Sequence, residues 1–407
     1  MATQERQRGN AARGQQPAVR RPFIVGTRRV DTATYDNSTA LTAGTQSLPN
    51  YVCDADGFMA GMYILVESSI TATATGVVNY GEDAPFAILD VVELDDTNSK
   101  PIFGPMTGHD VYLVNKLGGY AHCDDARNNS DSFLLTSGSA LAFSFCLRLP
   151  VEIVHRDAFG SVPNKSSSAT YQLKLRLAAY AAGATFNTVG AQTVSIRTRV
   201  QQFGWMDPQG VDIQGNPVQP TPPANSTTQI WDKQDYQGLA AGALNQNLQG
   251  LDAMIRNLVF ILRDNSASSA TAAASATSSA TPRHAGDLSW PDPFTLKYET
   301  STPINRLRKV WIHMVGEDYQ YSSPRGGSAS EAALARDLGV FPETFARDFG
   351  LKPGSESRFG YLPANAGTTI KISGTIAAAS GTAPYRLTCL ANKIAPAGGN
   401  ARAMASR

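Results

Sequence analysis

The sequence predicts an all-β chain organised as two tandem sandwiches or jelly rolls with a few short helices. Three observations carry that expectation. Several segments alternate apolar and polar residues with a period of two, these segments fall into two successive sets, and a proline-rich break separates the sets. The length agrees, since 407 residues suffice for two domains of ordinary size, each burying its own core.

The chain opens on a basic arm. Residues 1–30 hold Arg6, Arg8, Arg13, Arg20, Arg21, Arg28 and Arg29 against a single acid, Glu5, a local charge of +6. The arm is rich in Gln, Ala and Gly and lacks apolar periodicity. Two readings stay open: a tail disordered by itself, or an electrostatic contact with nucleic acid or a lipid surface.

The first strand set occupies 31–205. FMAGMYILVESSI and FAILDVVEL are β-branched or aromatic enough for strands. In SALAFSFCLRLP, Leu141, Phe143, Phe145, Leu147 and Leu149 share one face and Ser144 and Arg148 the other. Leu173, Leu175 and Leu177 alternate with Gln172, Lys174 and Arg176, and Val194, Ile196 and Val200 with Ser195, Arg197 and Arg199. Side chains two apart share a sheet face, so these are half-buried strands.

The break, 206–227, contains five prolines, which lack the backbone donor a strand needs. The connection is set at 206–230, a second domain at 231–395 and a C-terminal tail at 396–407. Leu244, Leu248, Leu251 and Ile255 have helical spacing, interrupted at Gly250. RNLVFILR (256–263) is a continuous apolar run. Asn265 to Gly286 is nearly all Ser, Ala and Thr, and is read as an exposed, mobile loop spanning 265–286. RKVWIHMV (308–315) aligns Val310, Ile312 and Met314 as a strand, with His313 a wall residue. Leu334, Leu338, Phe341, Phe345 and Phe349 suggest two short helices, with Pro342 in the first turn of the second. Strands around Ile370 to Ile376 and Tyr385 to Ala391 end the body.

Composition excludes several classes. Hydrophobic residues make up 42%, and 35 basic residues nearly cancel 34 acidic ones, which argues against global disorder. No run of about 20 apolar residues exists to span a bilayer as a helix, and MATQERQRGN carries no apolar core of a signal peptide. The net charge of +1 conceals a partition: the arm carries +6, Lys393 to Arg407 add +3, and the body between carries −8. Charged residues are 17%, against about 25% for a typical soluble domain. Cys53, Cys123, Cys146 and Cys389 have no regular spacing and are expected as reduced, mostly buried thiols.

Catalytic chemistry is not expected. The phosphate loop, nucleophile elbow, zinc helix and EF-hand patterns are missing. The compact group His122-Cys123-Asp124-Asp125 reads as a polar turn, because adjacent loop residues rarely converge on one metal. His109, His155, His284 and His313 are isolated. Carboxylate pairs such as Glu82/Asp83 and Asp95/Asp96 are common in loops, and Trp205, Trp231, Trp290 and Trp311 are dispersed. No enzyme, cofactor or metal site is assigned. A viral spike or lectin-like tandem sandwich is the alternative reading, weakened by the lack of a repetitive shaft.

The order of features resembles the double jelly-roll major capsid protein of tectivirus-like, membrane-containing bacteriophages. The resemblance rests on the Gln/Ala/Arg-rich arm MATQERQRGNAARGQQPAVRR, on SFCLRLPVEIVHRDAFGSVPNKSSSATYQLKLRLA with Asp157, Gly160 and Val162, on LVFILRDN, and loosely on FPETFARDFG. It implies two eight-stranded jelly rolls side by side, and homotrimers of pseudo-hexagonal footprint tiling an icosahedral virion shell. It further implies a shell over an internal membrane, met by the arginines of the arm rather than by direct genome contact. Penton and minor capsid proteins would be further partners, with assembly in the host cytoplasm.

Overall fold

The computed structural model describes residues 20–70, 79–80, 83–120, 143–181, 185–188, 193–223, 227–268, 279–284, 289–319, 339–346, 360–377 and 383–396. After a single helical turn, α1 (Phe23–Gly26), the first half contains β1 (Arg29–Ala40), β2 (Gln46–Ser47), β3 (Tyr51–Val52), β4 (Gly57–Ile70), β5 (Asn79–Tyr80), β6 (Leu89–Asp95) and β7 (Pro101–Met106). Helix α2 (Gly108–Leu117) follows, then β8 (Ser144–Pro150), β9 (Val162–Asn164), β10 (Gln172–Leu177), β11 (Phe186–Thr188) and β12 (Val194–Trp205). One sheet runs β1-β12-β4-β8, and the facing strands run β7-β6-β10, with both β2 and β3 on β10. Counting β2 and β3 as one interrupted strand and setting aside the short accessory strands β5, β9 and β11, eight strands divide four and four. Their orders are first-eighth-third-sixth and second-seventh-fourth-fifth, the connectivity of a jelly roll.

The second half repeats this arrangement. It comprises β13 (Thr227–Leu239), β14 (Gly242–Leu248), β15 (Met254–Ser268), β16 (Ser279–His284), β17 (Phe294–Tyr298), β18 (Ser301–Arg306), α3 (Arg308–Tyr319), β19 (Val340–Thr344), β20 (Ile370–Ile376) and β21 (Tyr385–Pro396). β13-β21-β15 carries β19 on β15, and β14-β20-β17-β18 forms the facing sheet. The strand orders match those of the first roll, and β16 extends β15 as a hairpin. The fold is a double jelly roll.

Alternation built these sheets as the sequence suggested. Leu173, Leu175 and Leu177 of β10 point inward and are buried. On the outer face of the same strand, Lys174 pairs with Glu93 at 2.7 Å and Asp95 at 2.6 Å. The helix α2 starts on a capping box: Thr107 Oγ1 accepts from the Asp110 N–H (3.2 Å), and the Asp110 carboxylate accepts from the Thr107 N–H (3.0 Å). The rolls meet where β7 and β13 pair in parallel at Phe103 and Trp231, so one ten-stranded sheet passes through both. One apolar cluster likewise spans both rolls.

Several expectations are corrected. Residues 308–315 form the start of α3 and not a strand: Trp311 and Val315, four apart, turn inward and His313 outward. Leu244 and Leu248 lie on β14, and Ile255 on β15; a spacing of four fits period two as well as a helix. Phe341 and Pro342 belong to β19, where Pro342 pairs with Val259, and not to a helix. Leu334, Leu338 and Phe349 lie outside the described residues. Within 265–286, β15 continues through Ser268 and β16 covers Ser279–His284; residues 269–278 and 285–286 are outside the description. Trp290 and Trp311 are not dispersed but share one aromatic cluster with Phe260, Phe294 and Phe341. Cys53 and Cys389 are buried free thiols, while Cys146 faces out beside the inward Phe145 and Leu147. Cys123, with its neighbours His122, Asp124 and Asp125, lies outside the described residues.

Candidate assembly surfaces

Two regions combine buried polar groups or exposed apolar ones in a way a free sandwich does not need. The first is the junction of the rolls. Arg256, at the head of the apolar run in β15, is fully buried. Its guanidinium donates to Gly118 O (2.9 Å), Tyr120 Oη (3.3 Å) and Asn392 Oδ1 (3.1 Å). Asn257 Nδ2 donates to Leu117 O (2.8 Å). Gln229 of β13 accepts at Oε1 from Tyr120 Oη (2.5 Å), Trp231 Nε1 (3.2 Å) and Asn392 Nδ2 (3.0 Å), and donates from Nε2 to Glu152 O (2.8 Å). Lys233 reaches the Asp110 carboxylate of α2 at 2.6 Å, and Arg263 reaches Asp83 at 2.9 Å. Burial by itself raises the Asp110 carboxyl, but the Lys233 charge and hydrogen bond, His109 and the Thr107 N–H outweigh it and hold it below the usual range.

These bonds are directional and buried, so they tolerate little sliding of one roll over the other. Sequence reading missed them because nearly all join residues far apart in the chain, most of them more than a hundred apart. An arginine and an asparagine heading an otherwise apolar run were the available signal.

The second region is the N-terminal segment. Phe23 is buried against Phe58 (ring centroids 5.2 Å, edge-on) and Ala158, in a small cluster separate from the main core. The backbone of 21–28 is clipped to the proline-rich connection: Arg21 N–H to Pro217 O (2.7 Å), Gln219 N–H to Arg21 O (2.9 Å), Gln209 N–H to Gly26 O (2.8 Å) and Met206 N–H to Arg28 O (2.8 Å). Together they line a concavity of about 220 Å³ whose walls include Val25, Met206, Val211 and Ile213. All four are at least half exposed, and Ile213 fully so. Asp212 beside them caps its own turn, with Asn216 holding its carboxyl below the usual range.

The predicted arginines divide accordingly. Arg20, Arg21, Arg28 and Arg29 are exposed around this segment. Arg29 lies in β1, bonded to Asp31 (3.1 Å) and over the Phe203 ring (5.2 Å), and Arg21 lies 3.8 Å from Asp212. Arg6, Arg8 and Arg13 are outside the described residues. Lys393 is not part of a free tail: it is buried in β21, bonded to Gly250 O (2.7 Å) and paired with Asp232 and Asp252. Arg402 and Arg407 are outside the described residues.

No group of three metal-ligating side chains occurs among the described residues. Glu152 is buried, with His155 Nδ1 at 2.5 Å, Trp205 Nε1 at 3.2 Å and Ser161 Oγ at 3.4 Å. It is no nucleophile relay, since the buried Ser161 donates to the carboxylate and not to the imidazole.

No family model and no curated protein matches the sequence. Among solved structures, the chain is similar to the STIV MCP, from Sulfolobus turreted icosahedral virus, with a TM-score of 0.57 at 10% identity over 90% of this chain and 96% of that one. The PBCV-1 virus capsid gives 0.50 at 12% identity over 93% and 95%, and the Faustovirus major capsid protein 0.50 at 11% over 92% and 90%. At identities this low the likeness is one of fold, the double jelly roll, and it extends along nearly the whole chain.

Proposed function

We propose that this chain is a structural major capsid protein, forming homotrimeric, pseudo-hexagonal capsomers of an icosahedral virion shell. One observation carries the reading: two complete jelly rolls are keyed side by side in one chain by a buried polar junction. Such a body lets one gene product fill two of six positions around an axis. The likeness of fold to viral capsid proteins supports it. Five segments follow the sequence: an arm (1–30), the rolls (31–205 and 231–395), their connection (206–230) and a tail (396–407). The arm is docked on the connection from Arg21 onward.

The finer reading places an internal membrane beneath the shell. Arg6, Arg8, Arg13, Arg20, Arg21, Arg28 and Arg29 would meet its anionic head groups, each contributing about 1 kcal/mol, beside the exposed Val25, Met206, Val211 and Ile213. Penton and minor proteins at vertices would be further partners, and assembly would occur in the host cytoplasm. Neither catalysis nor direct genome contact is part of this function.

Solution mass and vesicle binding test it together. The purified protein is expected near three times 43.3 kDa. It should bind anionic vesicles in a salt-sensitive way, and a variant with the seven arginines changed to serine should stay trimeric but lose that binding. Binding unchanged in the variant would remove the membrane role of the arm.

A further inference from the structure

The two rolls repeat one local arrangement to the residue. β7 spans 101–106 and α2 starts at 108; β18 spans 301–306 and α3 starts at 308. An offset of 200 therefore relates them, placing Leu307 at the position of Thr107 and Val310 at that of Asp110.

Their surroundings differ. Nine of the ten residues of α2 are buried, packed on β6 and β8 of their own roll and met by β15 of the second. Lys233 bonds Asp110, Asn257 bonds Leu117 O, and Arg256 bonds Gly118 O just beyond the helix end. α3 buries Trp311 and Val315 in its own roll but leaves Leu307 59% and Val310 50% exposed. The exposed apolar positions are thus the counterparts of the α2 cap and of the residue that touches the other roll.

The strand edges repeat too. β7 pairs in parallel with β13, the first strand of the second roll. Among the described residues, β18 ends its sheet, and β1, the first strand of the first roll, ends another. An unpaired edge is a template for another strand, and native proteins cover it or blunt it.

We propose that β18 and the start of α3 form the face on which a second copy of this chain seats its β1 edge. The contact would repeat between chains what β7 and α2 make with β13 within one. This rests on the coat-subunit reading and specifies the surface that joins the subunits.

The register follows from the internal contact. Phe103, third in β7, pairs with Trp231, fifth in β13. Pro303 is third in β18, and Ala33 is fifth in β1. The sheet neighbours agree: Trp231 faces Asn392, fifth from the end of β21, and the fifth residue from the end of β12 is Gln201. Gln201 falls between the pairs Thr32–Gln202 and Tyr35–Val200, at the irregularity holding Ala33 and Thr34, both exposed. Pro303 would therefore lie by Ala33 and Thr34 of the second copy. The internal junction has one registered pair and prolines at 101 and 105, so the proline at 303 is compatible with a short bridge backed by apolar packing. Donor and acceptor surfaces differ, so the contact is head-to-tail, the kind that closes as a ring when the rotation between copies permits, as the trimer of the coat-subunit reading requires.

The test compares solution masses of wild type, Leu307→Asp/Val310→Asp, and the control Val211→Asp/Ile213→Asp, with circular dichroism to check folding. The first variant should be a folded monomer at concentrations where wild type is a trimer, its association weakened ~100-fold or more by buried unpaired charge. The control should remain trimeric. An independent measurement is oxidation of Thr302→Cys/Ala33→Cys, which should yield covalent multimers absent from either single variant. A trimeric Leu307→Asp/Val310→Asp, or no added cross-linking in the double cysteine variant, overturns this face while leaving the coat-subunit reading standing. A monomeric wild type overturns both.

Discussion

Replacing Arg256 by methionine isolates the polar junction between the rolls. Methionine keeps much of the apolar stem and removes the guanidinium, with its bonds to Gly118 O, Tyr120 Oη and Asn392 Oδ1. These acceptors are deep in the junction, where a polar group left without a partner costs roughly 1–3 kcal/mol. Tyr120 and Asn392 retain bonds to Gln229, so the full sum is not reached, and a loss of about 4 kcal/mol is expected. Denaturation in urea reads this directly, followed by circular dichroism for both rolls and by emission of the buried Trp231, Trp290 and Trp311 for the second. With a slope of ~3 kcal/mol per molar, the midpoint should fall by about 1 M, and the single transition should separate into two as the rolls lose their coupling. A single transition displaced by less than about 0.3 M would refute the role given to Arg256.

Two further perturbations probe the same architecture. The Asp110 carboxyl is held below its usual value in the folded chain, so its stabilisation is complete above about pH 4, the unfolded value, and is lost as pH falls through the folded one. Asp110→Asn should lower stability at pH 7 by on the order of 3 kcal/mol and flatten the acid limb of a stability-versus-pH curve; parallel curves for variant and wild type would contradict the Lys233–Asp110 pairing. Phe23→Ala should release the N-terminal segment, at a local cost of about 3 kcal/mol, and speed tryptic cleavage after Arg28 and Arg29. The melting of the body should barely change, because Phe23 packs outside the main core, and unchanged cleavage would count against the docking.

What the sequence disclosed follows the range of the interactions. β8, β10 and β12 were legible because a half-buried strand writes its alternation into consecutive residues. The segment 308–315 misled because Val310, Ile312 and Met314 alternate as a strand would, while Trp311 and Val315, at helical spacing, decide the fold. Leu244 and Leu248 misled in reverse, since four residues apart is one face of either element. Phe341 and Pro342 read as helical because the partner that makes β19 a strand, Val259, lies 83 residues before Pro342. The eight-stranded jelly-roll architecture came from the resemblance and not from periodicity, which cannot say which strand adjoins which. Most of the candidate surfaces stayed hidden for the same reason. The Arg256–Gln229–Asn392 network and the groove of Val25, Met206, Val211 and Ile213 are assembled across distant segments. The charge of the arm was visible, but not that Phe23 anchors its end.

Class averages from electron micrographs of the purified protein test the central claim most directly. A double jelly-roll coat subunit is expected to appear as a closed particle with threefold symmetry and six lobes around one axis. Isolated two-lobed particles, or a twofold dimer, would contradict it.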